Sequence, residues 1–262
     1  MIIKKFFFFA FFLSLLNPFF AFAADNESDR EKIVSAKARR FSKSNYINQS
    51  FLLSGNYDSD QNSKEYHIDS RYYYRSNKQM HELYFFHNSD YANLGTGKGK
   101  NYLVKKSERY DTTLSSKFII ADSNNYVTLY SRVNYDDLSS YYYDLRNAVG
   151  FGRIIFNDNV EFDTSIGYTD VKEYGSKIFI LPSLRINLRL TEKLSFTSRG
   201  YFFLDHEGID NDLRSSLKYK IGKNVSIALN HIFEQRRYAE QGENNVNQAR
   251  RYVSVGLVFD LN

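Results

Sequence analysis

The feature that most constrains this chain is strict alternation near its end. Leu213, Ser215, Leu217, Tyr219 and Ile221 share one parity, while Arg214, Ser216, Lys218 and Lys220 share the other. Gly222-Lys223-Asn224 marks a turn, after which Val225, Ile227, Leu229, His231 and Phe233 alternate with Ser226, Ala228, Asn230, Ile232 and Glu234. A third run sets Val253, Val255, Leu257, Phe259 and Leu261 against Tyr252, Ser254, Gly256, Val258 and Asp260. A period of two puts alternate side chains on opposite faces of a strand, so each run has one apolar and one polar face. Runs of about ten residues are also the length of a tilted strand crossing a bilayer.

The same alternation recurs upstream to residue 48. The run through Ile178, Ile180, Pro182, Leu184, Ile186, Leu188 and Leu190, opposed by Ser183, Arg185, Asn187 and Arg189, is the clearest case. The stretch Met80 to Asn88 has ambiguous parity, and the glycine-punctuated Asp90 to Lys106 and the polar Arg236 to Arg250 read as long loops. Short turns fall at Ser76–Gln79, Ala121–Asn125, Asn157–Asn159, Thr191–Lys193 and Gly222–Asn224, on every second connection, with the two long loops on the others. Short periplasmic turns alternating with longer outer loops, and an even strand count, are the pattern of an outer-membrane barrel. The expected fold is therefore all-β: a transmembrane antiparallel up-and-down β-barrel over residues 48–262, with about twelve strands, or ten as the alternative. A lipocalin-like or sandwich protein of the periplasm is the soluble alternative, although soluble up-and-down barrels commonly close with about eight strands.

The start of the chain reads as a secretory signal over residues 1–23. Lys4 and Lys5 precede an apolar core from Phe6 to Leu16, and Ala21-Phe22-Ala23 offers a cleavage site. Residues 24–47 read as a polar periplasmic leader, with a short helix possible between Glu31 and Phe41. Loss of the signal would lower the formal charge from +5 to +3, too mild a surplus to imply a nucleic-acid partner. The expected location is the outer membrane of a Gram-negative bacterium, with outer-membrane lipids including lipopolysaccharide and the barrel-insertion machinery as partners. The mean hydropathy of −0.51 does not oppose this, because half of every barrel strand faces water. The chain contains no Cys, so cross-links and thiolate chemistry are excluded.

Parity decides what faces inward. A one-residue slip would turn Arg214, Lys218 and Lys220 to the lipid together. A basic residue at the bilayer midplane costs roughly 2–4 kcal/mol, which outweighs a cross-strand pair worth about 0.2–1 kcal/mol. The expected lumen-lining set is Arg71, Arg75, Lys117, Arg132, Asp144, Arg146, Glu161, Asp163, Arg185, Arg189, Arg199, Arg214, Lys218 and Lys220. Such a set either fills a narrow lumen with cross-strand ion pairs or lines a pore that favours anions. Tyr72, Tyr74, Tyr141, Tyr143, Phe202 and Phe259 are candidates for interfacial girdles.

Signals for other chemistry are weak. Gly95-Thr96-Gly97-Lys98-Gly99-Lys100 lacks the Ser or Thr and the following helix of a phosphate loop. The five histidines, His67, His81, His87, His206 and His231, show no metal-ligand spacing, and no cofactor is implied. Ser198 and His231 share the lipid-facing parity, the minimum that a lipid hydrolase at the membrane rim would need. The leading expectation is a non-enzymatic structural or narrow-pore protein.

From residue 48 onward the chain resembles the salt-induced outer membrane protein family, whose function is unknown. The resemblance is carried by Arg146-Asn147-Ala148-Val149-Gly150-Phe151-Gly152-Arg153, by Leu194-Ser195-Phe196-Thr197, by Val225-Ser226-Ile227-Ala228-Leu229 and by the closing Tyr252 to Leu261. It implies an outer-membrane β-barrel, suggests a link to osmotic or ionic conditions, and brings no catalytic residues. Outer-membrane barrels usually end on an aromatic residue that the insertion machinery reads, where this chain has Phe259-Asp260-Leu261-Asn262.

Overall fold

The structure, a computed structural model, describes residues 48–59, 63–76, 78–96, 100–120, 124–136, 143–156, 159–171, 175–206, 208–240 and 243–261. The signal and leader expected from the sequence lie outside these residues. Twelve strands follow one another: β1 (Asn48–Ser59), β2 (Ser63–Arg75), β3 (Gln79–Thr96), β4 (Lys100–Ile119), β5 (Asn125–Asp136), β6 (Asp144–Ile155), β7 (Val160–Val171), β8 (Gly175–Arg189), β9 (Leu194–Asp205), β10 (Gly208–Lys220), β11 (Val225–Glu240) and β12 (Glu243–Asp260). Each pairs antiparallel with its sequence neighbours, and β12 pairs with β1, so the sheet closes into a barrel without free edges. Closure satisfies the backbone groups that an open edge would leave bare, which is what a lipid environment demands. No helix among the described residues is long and apolar enough to cross a membrane, a test that does not concern strands.

Burial follows the two-residue period. β5 alternates exposed or half-buried with buried positions along its whole length. Its outward side chains include Leu129 and Val133, while Tyr126, Thr128, Tyr130, Arg132 and Asn134 are buried inside. Outward residues on neighbouring strands, among them Phe151, Ile166, Ile178, Val255 and Leu257, are exposed large hydrophobics. This apolar belt runs around the barrel and far exceeds the isolated patches that a water-soluble monomer tolerates.

Two stretches depart from the sequence reading. Within Asp90 to Lys106, residues 90–96 and 100–106 are strand rather than loop: β3 and β4 stay paired from Asp90↔Ser107 to Thr96↔Lys100, with a bulge beside Tyr91, and residues 97–99 lie outside the described ones. Arg236 to Arg250 is likewise mostly strand, paired from Arg236↔Gln248 to Glu240↔Glu243. Backbone pairing needs no apolar face, so pairing outlasts the alternation on which the sequence reading relied.

Pro182 sits within β8 without breaking it. Its ladder to β7 is continuous through Thr164↔Pro182, whereas the ladder to β9 is interrupted between Ile180↔Leu204 and Ser183↔Tyr201. A proline has no N–H to give to a ladder, and the gap in the pairing with β9 spans Pro182.

Candidate functional site

The candidate site is the lumen, which is packed with side chains in tiers along the axis. The middle tier is built by β4, β5, β10 and β11. Arg132 on β5 bonds both oxygens of Asp111 on β4 and reaches across to Asp212 on β10 at 3.0 Å and Glu234 on β11 at 3.1 Å. In the ring order β5 and β11 stand six strands apart, on opposite walls. Arg109 contacts Glu234 at 2.5 Å and Asp111 at 3.3 Å. Arg214 makes two bonds to Asp212, at 3.0 and 2.6 Å, and a third to Thr113. Three guanidiniums thus meet three carboxylates, all at most 6% exposed at the side chain. Arg214 also lies over the ring of Tyr84, 3.7 Å from its centroid, which gives a buried cation a further partner.

The inner tier lies toward the end that carries the short turns and both strand termini of the barrel. Lys117 on β4 contacts Glu161 at 2.9 Å and Asp163 at 3.0 Å, both on β7, and Tyr126 donates its hydroxyl to Asp163. Arg199 on β9 donates to Glu82 on β3 at 2.6 Å, again across six strands, and to Ser115 at 2.9 Å. Arg185 lies 3.7 Å from Glu82 and 3.9 Å from Glu161, and Arg71 lies 3.6 Å from Glu82. Arg185 stacks over Tyr73 at 4.4 Å.

An outer tier joins Arg146 to Asp144 at 2.8 Å and to Asp210 at 3.2 Å, with Thr169 donating to Asp144. Arg250 reaches Asp136 at 2.5 Å. Between these tiers sit apolar clusters: Tyr130, Ala148, Phe179, Leu181, Tyr201 and Phe203 in one, and Tyr84, Phe86 and Ile232 in another. The interior is therefore mixed, ionic and aromatic, where the sequence reading had placed aromatics mainly at the rims.

Of the lumen residues named from the sequence, Lys117, Arg132, Asp144, Glu161, Asp163, Arg199 and Arg214 are buried inside the barrel. Arg71, Arg146 and Arg185 are half-buried within it, as is Arg75 nearer the inner end. Lys218 is half-buried, and Arg189 and Lys220 are exposed at the inner end. The structure brings in Glu82, Arg109, Asp136, Asp210, Asp212, Glu234 and Arg250, which the sequence reading did not place in the lumen, and bears out Asp111, which shares the inward parity of Lys117. Asp212 precedes the alternating run by one residue and shares the parity of Arg214, so parity extended by one step would have found it. Glu82 was hidden by the unclear parity of its stretch, and Arg250 by the loop reading.

A buried cluster of Ser54, His67, Asp69 and Ser254 has the composition of a hydrolytic triad but the wrong order. Asp69 accepts from Ser54 at 2.5 Å and from Ser254 at 3.0 Å, and His67 lies 3.2 Å from Asp69. The carboxylate holds both hydroxyls directly, so no imidazole stands ready to take a proton from either serine. On the lipid face, Ser198 and His231 are separated by β10: Ser198 pairs with Ser215, and Ser215 with His231. The hydroxyl of Ser198 is 3.0 Å from that of Ser215. No cluster of potential metal ligands occurs among the described residues.

These features define a class: a closed twelve-stranded antiparallel barrel, apolar outside and cross-linked by ion pairs within. The chain belongs to the family described as protein of unknown function, DUF481, which it matches over residues 42–261. Similar solved structures include a NanC porin, with 10% identity, 80% of this chain and 100% of that chain covered, and a TM-score of 0.46. The COG4313 outer membrane channel from Pseudomonas putida F1 shows 5% identity, 84% and 96% coverage and a TM-score of 0.42. The translocator domain of the autotransporter NalP from Neisseria meningitidis shows 8% identity, 88% and 96% coverage and a TM-score of 0.39. No curated protein sequence matches the chain.

Proposed function

We propose that this protein is a structural β-barrel of the Gram-negative outer membrane whose lumen is sealed by its own side chains. The observation that carries the reading is the contact of Arg132 with Glu234 from opposite walls, repeated one tier away by Arg199 with Glu82. An open pore holds water between its walls; here a single pair of side chains bridges them. The apolar belt supports the membrane location and contact with outer-membrane lipids, lipopolysaccharide included. Insertion would then fall to the barrel-insertion machinery, and the mild charge offers nothing to nucleic acid. Within this reading, the salt-linked role implied by the family resemblance is one of envelope reinforcement under ionic stress rather than solute passage.

The test is planar-bilayer conductance of the refolded chain. A silent membrane is expected, with folding verified by heat-dependent gel mobility; steady open-channel current would overturn the sealed reading and favour an anion pore. Partition into the aqueous phase without detergent would instead favour the soluble periplasmic alternative. The protein is expected to cleave no phospholipid, and cleavage lost in Ser198→Ala would restore the hydrolase reading.

A further inference from the structure

The tiers differ in charge balance. In the middle tier three cations meet three carboxylates. In the inner tier, among the described residues, Arg71, Arg75, Lys117, Arg185, Arg199 and Lys218 stand with Glu82, Glu161, Asp163 and, beside Arg71, Asp69, so six cations meet four acids. Glu82 serves Arg71, Arg185 and Arg199, with Glu161 a second acid for Arg185 at 3.9 Å, and only Arg199 is within hydrogen-bonding distance of Glu82. Asp260, at the inner rim, adds one acid there, where Arg189 and Lys220 add two exposed bases.

The surplus coincides with unused donors. The Nε atoms of Arg71 and Arg199 are buried without a hydrogen-bond partner. Among the described residues Lys218 has neither hydrogen bond nor ion pair, and the charges acting on it are the like-charged Arg71 and Arg185 and, opposing them, Asp260 and Glu82. Packing like charges together with their donors unsatisfied raises the free energy of a fold, unless an anion completes the group. Arg71, Arg185 and Lys218 are half-buried rather than fully enclosed.

We propose that this inner vestibule, beneath the sealed tier, binds a tetrahedral oxyanion of the phosphate class. A phosphate group carries about 1.5 to 2 negative charges at neutral pH, which matches the surplus. Guanidiniums suit it because their planar fork meets two oxygens at once, with Lys218 supplying a point charge. The cluster lies among lumen-facing side chains rather than on the apolar outer face, so the ligand is a free phosphate compound and not a lipid headgroup.

The experiment is calorimetric titration of the full refolded chain in octyl glucoside micelles with inorganic phosphate, at ionic strength held constant with chloride. Saturable binding is expected for phosphate, and none for added chloride. Arg71→Gln/Lys218→Gln should weaken it at least tenfold, and Lys218→Gln alone, at a position without a partner to orphan, should weaken it with gel mobility unchanged. Arg146→Gln, in the outer tier, should leave it within twofold. Absence of saturable heat, or equal loss in the Arg146 and Lys218 variants, would overturn the proposal. Phosphatidylglycerol in mixed micelles should not compete; if it displaces phosphate, the site faces lipid and the vestibule assignment is wrong. The result is independent of conductance, since a conducting barrel that binds phosphate would refute the seal and leave this site standing.

Discussion

Removal of Arg132 is the sharpest test of the charge accounting in the middle tier. Arg132 is 3% exposed and touches Asp111, Asp212 and Glu234, so Arg132→Met leaves three buried carboxylates to Arg109 and Arg214. Breaking a buried ion pair by deleting one partner typically costs about 3–5 kcal/mol, because the remaining charge is left without compensation. That corresponds to roughly two to four orders of magnitude in the ratio of folded to unfolded chain. The same reasoning makes a second, less obvious demand. Arg132→Met combined with Asp111→Leu leaves two guanidiniums for two carboxylates, and apolar replacement of a whole pair is often neutral. The double variant should therefore be more stable than the Arg132→Met single. The assay is urea unfolding of the refolded barrel followed by far-ultraviolet circular dichroism, suited to a chain without tryptophan. A single variant within 1 kcal/mol of the parent, on the scale of exposed pairs, or a double variant less stable than the single, would refute the argument.

Three further outcomes follow from the wall itself. Ile166→Arg, on the exposed side of β7 near its centre, should cost roughly 2–4 kcal/mol in lipid, whereas Leu190→Arg at the inner end should cost about 0–1 kcal/mol; unfolding titrations in vesicles measure both, and equal costs would place the belt elsewhere. Gly256→Val should lower refolding yield steeply, since a Cβ there would stand 2.4 Å from the carbonyl oxygen of Leu53 and 2.3 Å from Cβ of Ser54; unchanged heat-dependent mobility would contradict the packing. Gly175→Ala meets no atom within 4 Å, but its φ of +76° disfavours any side chain, so the loss should be about 1–2 kcal/mol by the same unfolding assay, with no change in yield.

The barrel was legible because the bilayer and the lumen impose opposite demands on successive residues. Arg214 and Leu213 cannot exchange places, and that constraint is written at every step of β10. The alternation gave the parity of Arg132 and Glu161 but not their partners, because nothing in a local period records which strand lies opposite. Arg132 and Glu234 are 102 positions apart and meet only because twelve strands place β5 and β11 on facing walls. The limits of strands were less visible where pairing outlasts the apolar face. The pairing of residues 90–96 with 100–107 is held by backbone bonds that leave no trace in side-chain pattern. Tyr84 and Phe203 also escaped the girdle reading, since an aromatic ring is welcome both at a headgroup and under a guanidinium.

The weld between the first and last strands is short. β1 meets β12 only from Ser50↔Asp260 to Gly55↔Val255, whereas β11 and β12 run together from Val225↔Phe259 to Glu240↔Glu243. A cylinder parts along its least stitched line, so any transient slit in this wall forms there, and the hydroxyls of Ser54 and Ser254, tied to Asp69, act as the rivets beneath it. Release of those rivets would let the cylinder yield sideways along that line while the ion pairs that span the lumen stayed in place.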